Sequence, residues 1–262
     1  MNYDDVLPPP FAWIEIPAGK MTIWEGNELE NAVYSSVSRT FIQPAFAISK
    51  YPITHAQFSK FVEAGGYENQ NWWTEAGWQA REEFGWTKPR AWQRSPFDTP
   101  NHPVVGVSWY EAISFCLWLS ETTGDKILLP TDQQWQRAAQ GDDGRAYPWG
   151  NEWDGNRCNN LVIPFYSPAT TPVTQYEGQD KGDSPFGVVD MAGNVWEWCL
   201  TTSFTRHNDL HGTEVRRLRG GSWDSDDYTG DFFRTDYRTG SLPFGRTDYW
   251  GFRVCRSTDS KV

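Results

Sequence analysis

The sequence is poor in several features that common protein classes need. It has 23 Lys and Arg against 34 Asp and Glu in 262 residues, a formal net charge of -11. Nucleic-acid-binding domains are normally basic, so this charge speaks against that class. No run approaches the roughly 18 apolar residues of a membrane-spanning helix. We therefore expect neither nucleic-acid binding nor membrane insertion.

The N-terminus lacks the features of a secretory signal peptide. Residues 1–5 read Met-Asn-Tyr-Asp-Asp and lead into three prolines, with no basic stretch followed by an apolar one. Four cysteines in the whole chain do not make a disulfide scaffold, and none stands in a Cys-x-x-Cys motif. We expect a cytoplasmic protein, and a monomer.

Aromatic residues are abundant. They make up 16% of the chain, with 16 Trp, and they stand beside 23 Gly and 17 Pro. Disordered chains lack aromatics, so the chain is expected to fold. The Gly and Pro content predicts many turns and short strands, with Trp rings packed between loops. No low-complexity linker divides the chain, so we expect one domain, 1–262, with its core at about 10–258.

Three capping boxes predict three helices. They begin at Thr54, Ser108 and Thr131, each followed three residues later by Gln or Glu and then by apolar residues at helical spacing. Strands are predicted at 11–16, 46–49, 215–218 and 252–255. Helices early in the chain and strands at its end favour an α+β fold with small antiparallel sheets.

Ordered motifs then point to a family. The chain carries His102–Trp109, Leu128–Thr131, Tyr147–Asn151, Met191–Trp198, Arg219–Trp223 and Gly251–Arg253. In this order and spacing they resemble the formylglycine-generating enzyme (sulfatase-modifying factor) superfamily. The resemblance implies a C-type-lectin-like fold that is loop-rich, with about three short helices and small antiparallel sheets.

The resemblance also implies which chemistry is missing. Formylglycine-generating enzymes bind copper through two cysteines after the Gly-Gly-Ser-aromatic motif. The matching positions here are Ser225 and Gly230. A hydroxyl and a hydrogen do not supply the soft thiolates that Cu(I) needs. The iron-dependent relatives hold their metal with histidines of an extra N-terminal bundle that this sequence does not show. We therefore expect neither copper nor iron.

One structural metal remains an expectation. The resemblance implies a calcium site at Asp190, Gly193, Val195 and Glu197, which offer the oxygen ligands that calcium prefers. The alternative is a turn whose Glu197 is paired with a basic residue. Extracellular members carry a disulfide at the position of Cys116. Cys255 lies one residue beyond the partner position, so we expect buried free thiols.

Residues 224–249, which we call the C-terminal segment, have an unusual composition. They hold six Asp but no Glu, and three Arg but no Lys, and Gln, Met and Trp are also absent. This bias is expected if Asn codons had been randomised at their adenines. Proteins varied in this way by diversity-generating retroelements include many with the implied fold. The alternative is constraint, because Arg-Thr-Asp-Tyr occurs twice, at 234–237 and 246–249.

Either origin gives a surface rich in aromatic and small polar side chains, as in antibody binding sites. The residues expected to bind a ligand are Asp224, Asp226, Asp227, Tyr228, Asp231, Phe232, Phe233, Asp236, Tyr237, Phe244, Asp248 and Tyr249. We expect about half of the segment's aromatic rings to be exposed. The leading hypothesis is a non-catalytic recognition protein for a protein or peptide. The alternatives are a metal-dependent oxidoreductase with a non-standard site, and a pseudoenzyme that binds cysteine-containing peptides.

Overall fold

The computed structural model describes residues 3–24, 38–161 and 168–257. Four α-helices lie in these ranges: α1 His55–Glu63, α2 Glu75–Glu83, α3 Trp109–Thr123 and α4 Asp132–Gln140. The strands are β1 Trp13–Ile16, β2 Gly19–Trp24, β3 Ser38–Gln43, β4 Phe46–Ser49, β5 Ile127–Leu128, β6 Trp196–Thr202, β7 Arg216–Arg219, β8 Thr239–Ser241, β9 Trp250–Gly251 and β10 Cys255–Ser257. Short elements joined by long loops confirm the α+β class.

The three predicted capping boxes are all present, at the starts of α1, α3 and α4. In α1, the Thr54 hydroxyl accepts from Gln57 N at 3.2 Å, and the Gln57 side chain accepts from Thr54 N at 2.9 Å. The sequence did not predict α2. Its N-cap is Thr74, but Gly77 stands where a capping box needs Glu or Gln, so only half of the signal is present.

The described strands form two four-stranded sheets and one hairpin. The first sheet has the order β1-β4-β10-β5, and the second has the order β8-β7-β6-β9. Strands β2 and β3 pair only with each other. The strand predicted at 252–255 was misplaced, because Phe252–Val254 are buried outside any strand and β10 begins at Cys255. Strand β7 begins one residue later than predicted.

Buried tryptophans fasten the start of helix α3 to strand β6 of the second sheet. Trp109, at its start, donates its indole N–H to the Cys199 carbonyl at 2.9 Å, and Trp198 of β6 donates to the Val107 carbonyl at 3.1 Å. The four cysteines are free and buried, as expected for Cys116 and Cys255, and burial raises the pKa of Cys116 above its usual range. None of the helices in the described ranges is long and apolar enough to cross a membrane.

Candidate ligand-binding surface

The C-terminal segment runs over the scaffold with little regular structure. It contains a 3₁₀ turn at Asp231–Phe233 and the short strand β8. Backbone bonds fasten it: Leu161 N donates to the Ser225 carbonyl at 3.1 Å, and Thr235 N donates to the Ala146 carbonyl at 2.7 Å. Its two ends meet where the Trp223 indole N–H donates to the Asp248 carbonyl at 3.1 Å. The segment is therefore a closed loop tied to the protein at several points.

The two positions that hold the copper cysteines in the resembling enzymes are occupied here by packed groups. The Ser225 hydroxyl is buried and accepts from Ser222 N at 3.1 Å. Gly230 has φ +79°, and a Cβ placed on it would lie 2.4 Å from the ring of Trp153. Trp153 in turn stacks on Phe233 at 4.8 Å between ring centroids. A cysteine side chain has no room at residue 230 in this arrangement.

An aromatic cluster forms the middle of the surface. Trp196 of β6 lies 6.2 Å from Phe232 and 6.0 Å from Tyr237 between ring centroids, and Phe232 lies 5.2 Å from Tyr237. Trp196 N also donates to the Tyr249 carbonyl at 2.9 Å. Phe232, Tyr237 and Tyr249 are each half-buried. Residues far apart in the segment thus converge on one tryptophan of the scaffold.

The aromatic residues of the segment differ in exposure. Tyr228 is 67% exposed and Phe244 is 42% exposed. Phe233 is fully buried against Tyr147 and Trp153, so it belongs to the core and does not lie on the binding surface. We expected Phe233 to bind the ligand, because composition does not distinguish inward from outward rings in an irregular loop. Two of the six rings are exposed, fewer than the expected half.

The acidic residues of the segment fall into two groups, those that are bonded within the fold and those that are exposed to solvent. Asp227 accepts from Phe232 N at 2.8 Å and from Thr229 N at 2.9 Å, so it holds the turn together. Asp236 pairs with Arg234 at 2.9 Å, and Asp248 pairs with Arg94. The remaining three, Asp224, Asp226 and Asp231, are exposed. Burial and the neighbouring Asp226 raise the pKa of Asp224. These three acids give the surface a negative charge that is free to meet a ligand.

The residues of the expected calcium site fit a cation only in part. Glu197 forms a buried ion pair with Arg253, whose Nε and Nη2 lie 2.7 Å from its two carboxylate oxygens. It also accepts from the Trp135 indole N–H at 2.7 Å. The Gly193 carbonyl accepts from Val195 N at 2.9 Å. The pairing with Arg253 neutralises Glu197, so within this set Asp190 is the carboxylate that could offer a negative charge to calcium, and the site stays a prediction.

Asp190 is the exception within that set. It is 3% exposed, and its Oδ2 accepts from the Asn194 amide at 2.8 Å. Its Oδ1 is buried without a hydrogen-bond partner in the part of the chain that the structure describes. Burial raises the pKa of Asp190 to about 7. A proton or a cation would each satisfy this carboxylate.

The histidines do not form a metal site in the described ranges. His207 and His211 lie in an irregular loop, and His102 contacts the Thr170 hydroxyl at 3.0 Å. Burial lowers the pKa of His102. In residues 3–24, 38–161 and 168–257, no three His, Cys, Asp or Glu side chains gather into a group that would hold a metal ion.

Known proteins share this architecture. A model of the sulfatase-modifying factor enzyme 1-like domain matches residues 8–258. Hercynine oxygenase of Mycobacterium tuberculosis is 33% identical over 238 residues, which cover 80% of this chain and 52% of that protein. The chain therefore spans about half the length of that relative.

Two further known proteins match this chain over most of its length and most of their own. Formylglycine-generating enzyme of Thermomonospora curvata is 30% identical over 262 residues, covering 82% of this chain and 83% of that protein. Among solved structures, Treponema denticola variable protein 1 superposes with a TM-score of 0.68 at 20% identity, covering 94% of this chain and 95% of that one. The superposition confirms the fold that the sequence motifs implied.

Proposed function

This chain belongs to the sulfatase-modifying factor enzyme 1-like domain family, and we propose that it is a non-catalytic recognition protein. Its binding surface is the exposed part of the C-terminal segment around Trp196. Its ligand is a protein or peptide. The main support for the proposal is the environment of Gly230. This residue stands at the position of a copper-binding cysteine, and the ring of Trp153 fills the space that the cysteine side chain would need. Reactive thiolates are missing where this family's copper chemistry takes place.

The chemistry of the surface supports a macromolecular ligand. Tyr228 offers a large exposed ring with few rotatable bonds, and the half-buried rings of Phe232 and Tyr237 lie beside Trp196. Aromatic anchors of this kind contribute most of the affinity in protein interfaces. The exposed acids, Asp224, Asp226 and Asp231, would favour a ligand with basic groups.

Site-specific photocrosslinking tests this proposal with a matched control. p-Benzoylphenylalanine is placed at Tyr228, which is 67% exposed, or at Phe204, which is 62% exposed and lies outside the segment. In extracts of the source cells, the probe at 228 should crosslink to one discrete protein, and the probe at 204 should not. Equal crosslinking from both positions, or none from 228, would contradict the proposal.

The competing function is a metal-dependent oxidoreductase, which the 33% identity to a hercynine oxygenase suggests. Metal analysis of the purified protein by mass spectrometry, before and after a chelator, distinguishes the recognition function from the oxidoreductase. The recognition function predicts no stoichiometric copper or iron. Calcium at Asp190 would be compatible with it, as a structural ion, and removing calcium would then lower the melting temperature.

Diversification of the segment is a separate proposal. It predicts a template repeat beside a reverse transcriptase gene, matching codons 224–249 except at adenines. The buried positions argue against free variation at every codon, because Phe233 and Thr235 are packed in the protein interior. A template that varies Tyr228 and the exposed acids but keeps these two would reconcile diversification with the fold.

A further inference from the structure

A second concave surface lies between the β2–β3 hairpin, the start of α4 and the loop after β6. Its volume is about 480 Å³, within the range of small-molecule sites. Its lining includes Arg39 and Phe41 of β3, Gln133 of α4, and Arg206 and Arg238. We call it the arginine cleft. Of its lining residues only Arg238 lies within the C-terminal segment, and Arg238 is not among the residues proposed to bind the protein ligand.

The charged residues that line this cleft are mostly basic, although the protein as a whole is acidic. Three arginines line it, and Asp132 is the acid among its described lining residues. Asp132 is already paired, with Arg219 Nε 2.7 Å from its Oδ1 and Arg238 Nη1 3.8 Å from its Oδ2. A guanidinium carries five N–H donors, so a protein partner for each arginine still leaves donors for a ligand. On a chain of net charge -11, an arginine-lined concavity indicates an anion.

The other face of the hairpin provides an internal contrast. A neighbouring cleft of about 380 Å³ is lined by Lys20, Thr40, Asp142, Asp143 and Asp236. Thr40 lines this cleft, whereas Arg39 and Phe41 line the arginine cleft, as the alternation of side chains along β3 requires. The hairpin therefore separates an acidic cleft from a basic one, and an anion would enter only the basic one.

The remaining lining narrows the chemistry of the ligand. Ile23 and Phe41 supply an apolar wall that a short carbon skeleton can contact. We infer that the arginine cleft binds a small organic oxyanion, a phosphate ester or a carboxylate.

Calorimetric titration at fixed ionic strength tests this inference with three probes: glycerol 3-phosphate, glycerate and inorganic phosphate. The inference expects saturable binding of glycerol 3-phosphate or glycerate, and weaker binding of inorganic phosphate, which has no carbon skeleton to contact Ile23 and Phe41. The stronger of the first two identifies the head group as phosphate or carboxylate. No saturable binding of either organic probe up to about 10 mM would overturn the inference, since even weak specific sites bind near millimolar Kd.

Three variants locate the site. Arg39→Gln and Arg206→Gln should each weaken binding about tenfold, the loss of one charge-assisted hydrogen bond. Lys20→Gln removes the same charge from the opposite face of the hairpin and should leave the affinity unchanged. Equal losses in the Lys20 and arginine variants would show non-specific attraction and overturn the inference. Arg39 lies on an exposed strand position, so its variant gives a folded test if the Arg206 variant does not fold.

Discussion

The tetrapeptide Arg-Thr-Asp-Tyr occurs twice in the C-terminal segment, and its two copies have different structural roles. In the copy at 234–237, Arg234 pairs within the copy, 2.9 Å from Asp236, with both side chains about one-third exposed. In the copy at 246–249, Arg246 reaches out of the copy, and its Nε lies 3.1 Å from the Glu111 carboxylate on α3. Glu111 is fully buried. The first arginine belongs to the surface and the second to the core.

The other contacts of the two copies show the same difference between scaffold and surface. Arg246 also donates to the Gly106 carbonyl at 3.0 Å and lies over the ring of Trp86 at 4.8 Å. Asp248 pairs with Arg94, outside its own copy. The second copy thus fastens the end of the segment to the scaffold, and the first copy presents Tyr237 beside Trp196. Repetition in sequence therefore does not imply repetition of function, because the neighbours available in the fold decide which atoms each arginine meets.

Removing Arg246, the arginine of the second copy, should have the largest effect on the stability of the protein. Arg246→Ala leaves Glu111 as a buried carboxylate without its guanidinium, which should lower the free energy of unfolding by about 3–5 kcal/mol. Urea unfolding followed by circular dichroism measures this loss. Arg234→Ala, the same change in the other copy, is the matched control. Similar losses in both variants would contradict the comparison.

The acids of both copies are paired with arginines, and the buried Asp190 provides the contrasting case. Its pKa is raised to about 7 by burial, from 3.8. A folded protein with such an acid binds the proton more tightly than the unfolded chain, so this contribution to stability is present at low pH and lost as the pH rises through about 7. The loss should reach up to about 4 kcal/mol between pH 4 and pH 8.

Asp190→Asn tests this assignment. The variant cannot ionise at residue 190, so the difference in stability between wild type and variant should change across this pH range when calcium has been removed. Calcium bound to the carboxylate would remove that pH dependence in the wild type, because the ion stabilises the charged form. A wild-type curve parallel to that of the variant in chelator would show that Asp190 does not titrate in this range.

Gly230 lies shortly before the first copy, so a change there should disturb only that copy. Gly230→Ala places a methyl group 2.4 Å from Trp153 at a φ of +79°, and we expect a loss of about 1–3 kcal/mol. The near-ultraviolet circular dichroism of Trp153 should change with it. Gly144→Ala is the control, since it has a similar φ of +68° and open space around it. An equal loss at Gly144 would assign the cost to backbone strain and not to the ring.

The parts of the fold that depend on local chemistry could be predicted from the sequence. Each capping box joins a hydroxyl to an amide three residues away, so Thr54, Ser108 and Thr131 mark helix starts without tertiary information. The loss of the copper cysteines was also visible, because the motif spacing assigns Ser225 and Gly230 to those positions. Phe233 could not be placed, since its burial depends on Trp153, far away in sequence.

The arginine cleft was missed for the same reason. Arg39, Arg206 and Arg238 are separated by more than 30 residues from one another, and only the hairpin and α4 bring them to one cavity. The sequence did contain one relevant signal, the excess of acids over bases, against which a cluster of arginines stands out. Charge counted along the chain does not reveal where the fold concentrates it.

Arg234→Ala should have the smallest effect on stability. The variant is therefore useful for distinguishing a loss of binding from a loss of stability. The Arg234–Asp236 pair is partly exposed, so its loss should change the free energy of unfolding by at most about 1 kcal/mol. Because this pair borders the aromatic cluster through Tyr237, the crosslinking yield from residue 228 should nevertheless fall. Arg157→Ala removes a partly exposed arginine that pairs three residues away with Asp154 and should leave the yield unchanged. If the yield is unchanged in both variants, the first copy is not part of the recognition surface, and the binding role belongs to Tyr228 and the exposed acids alone.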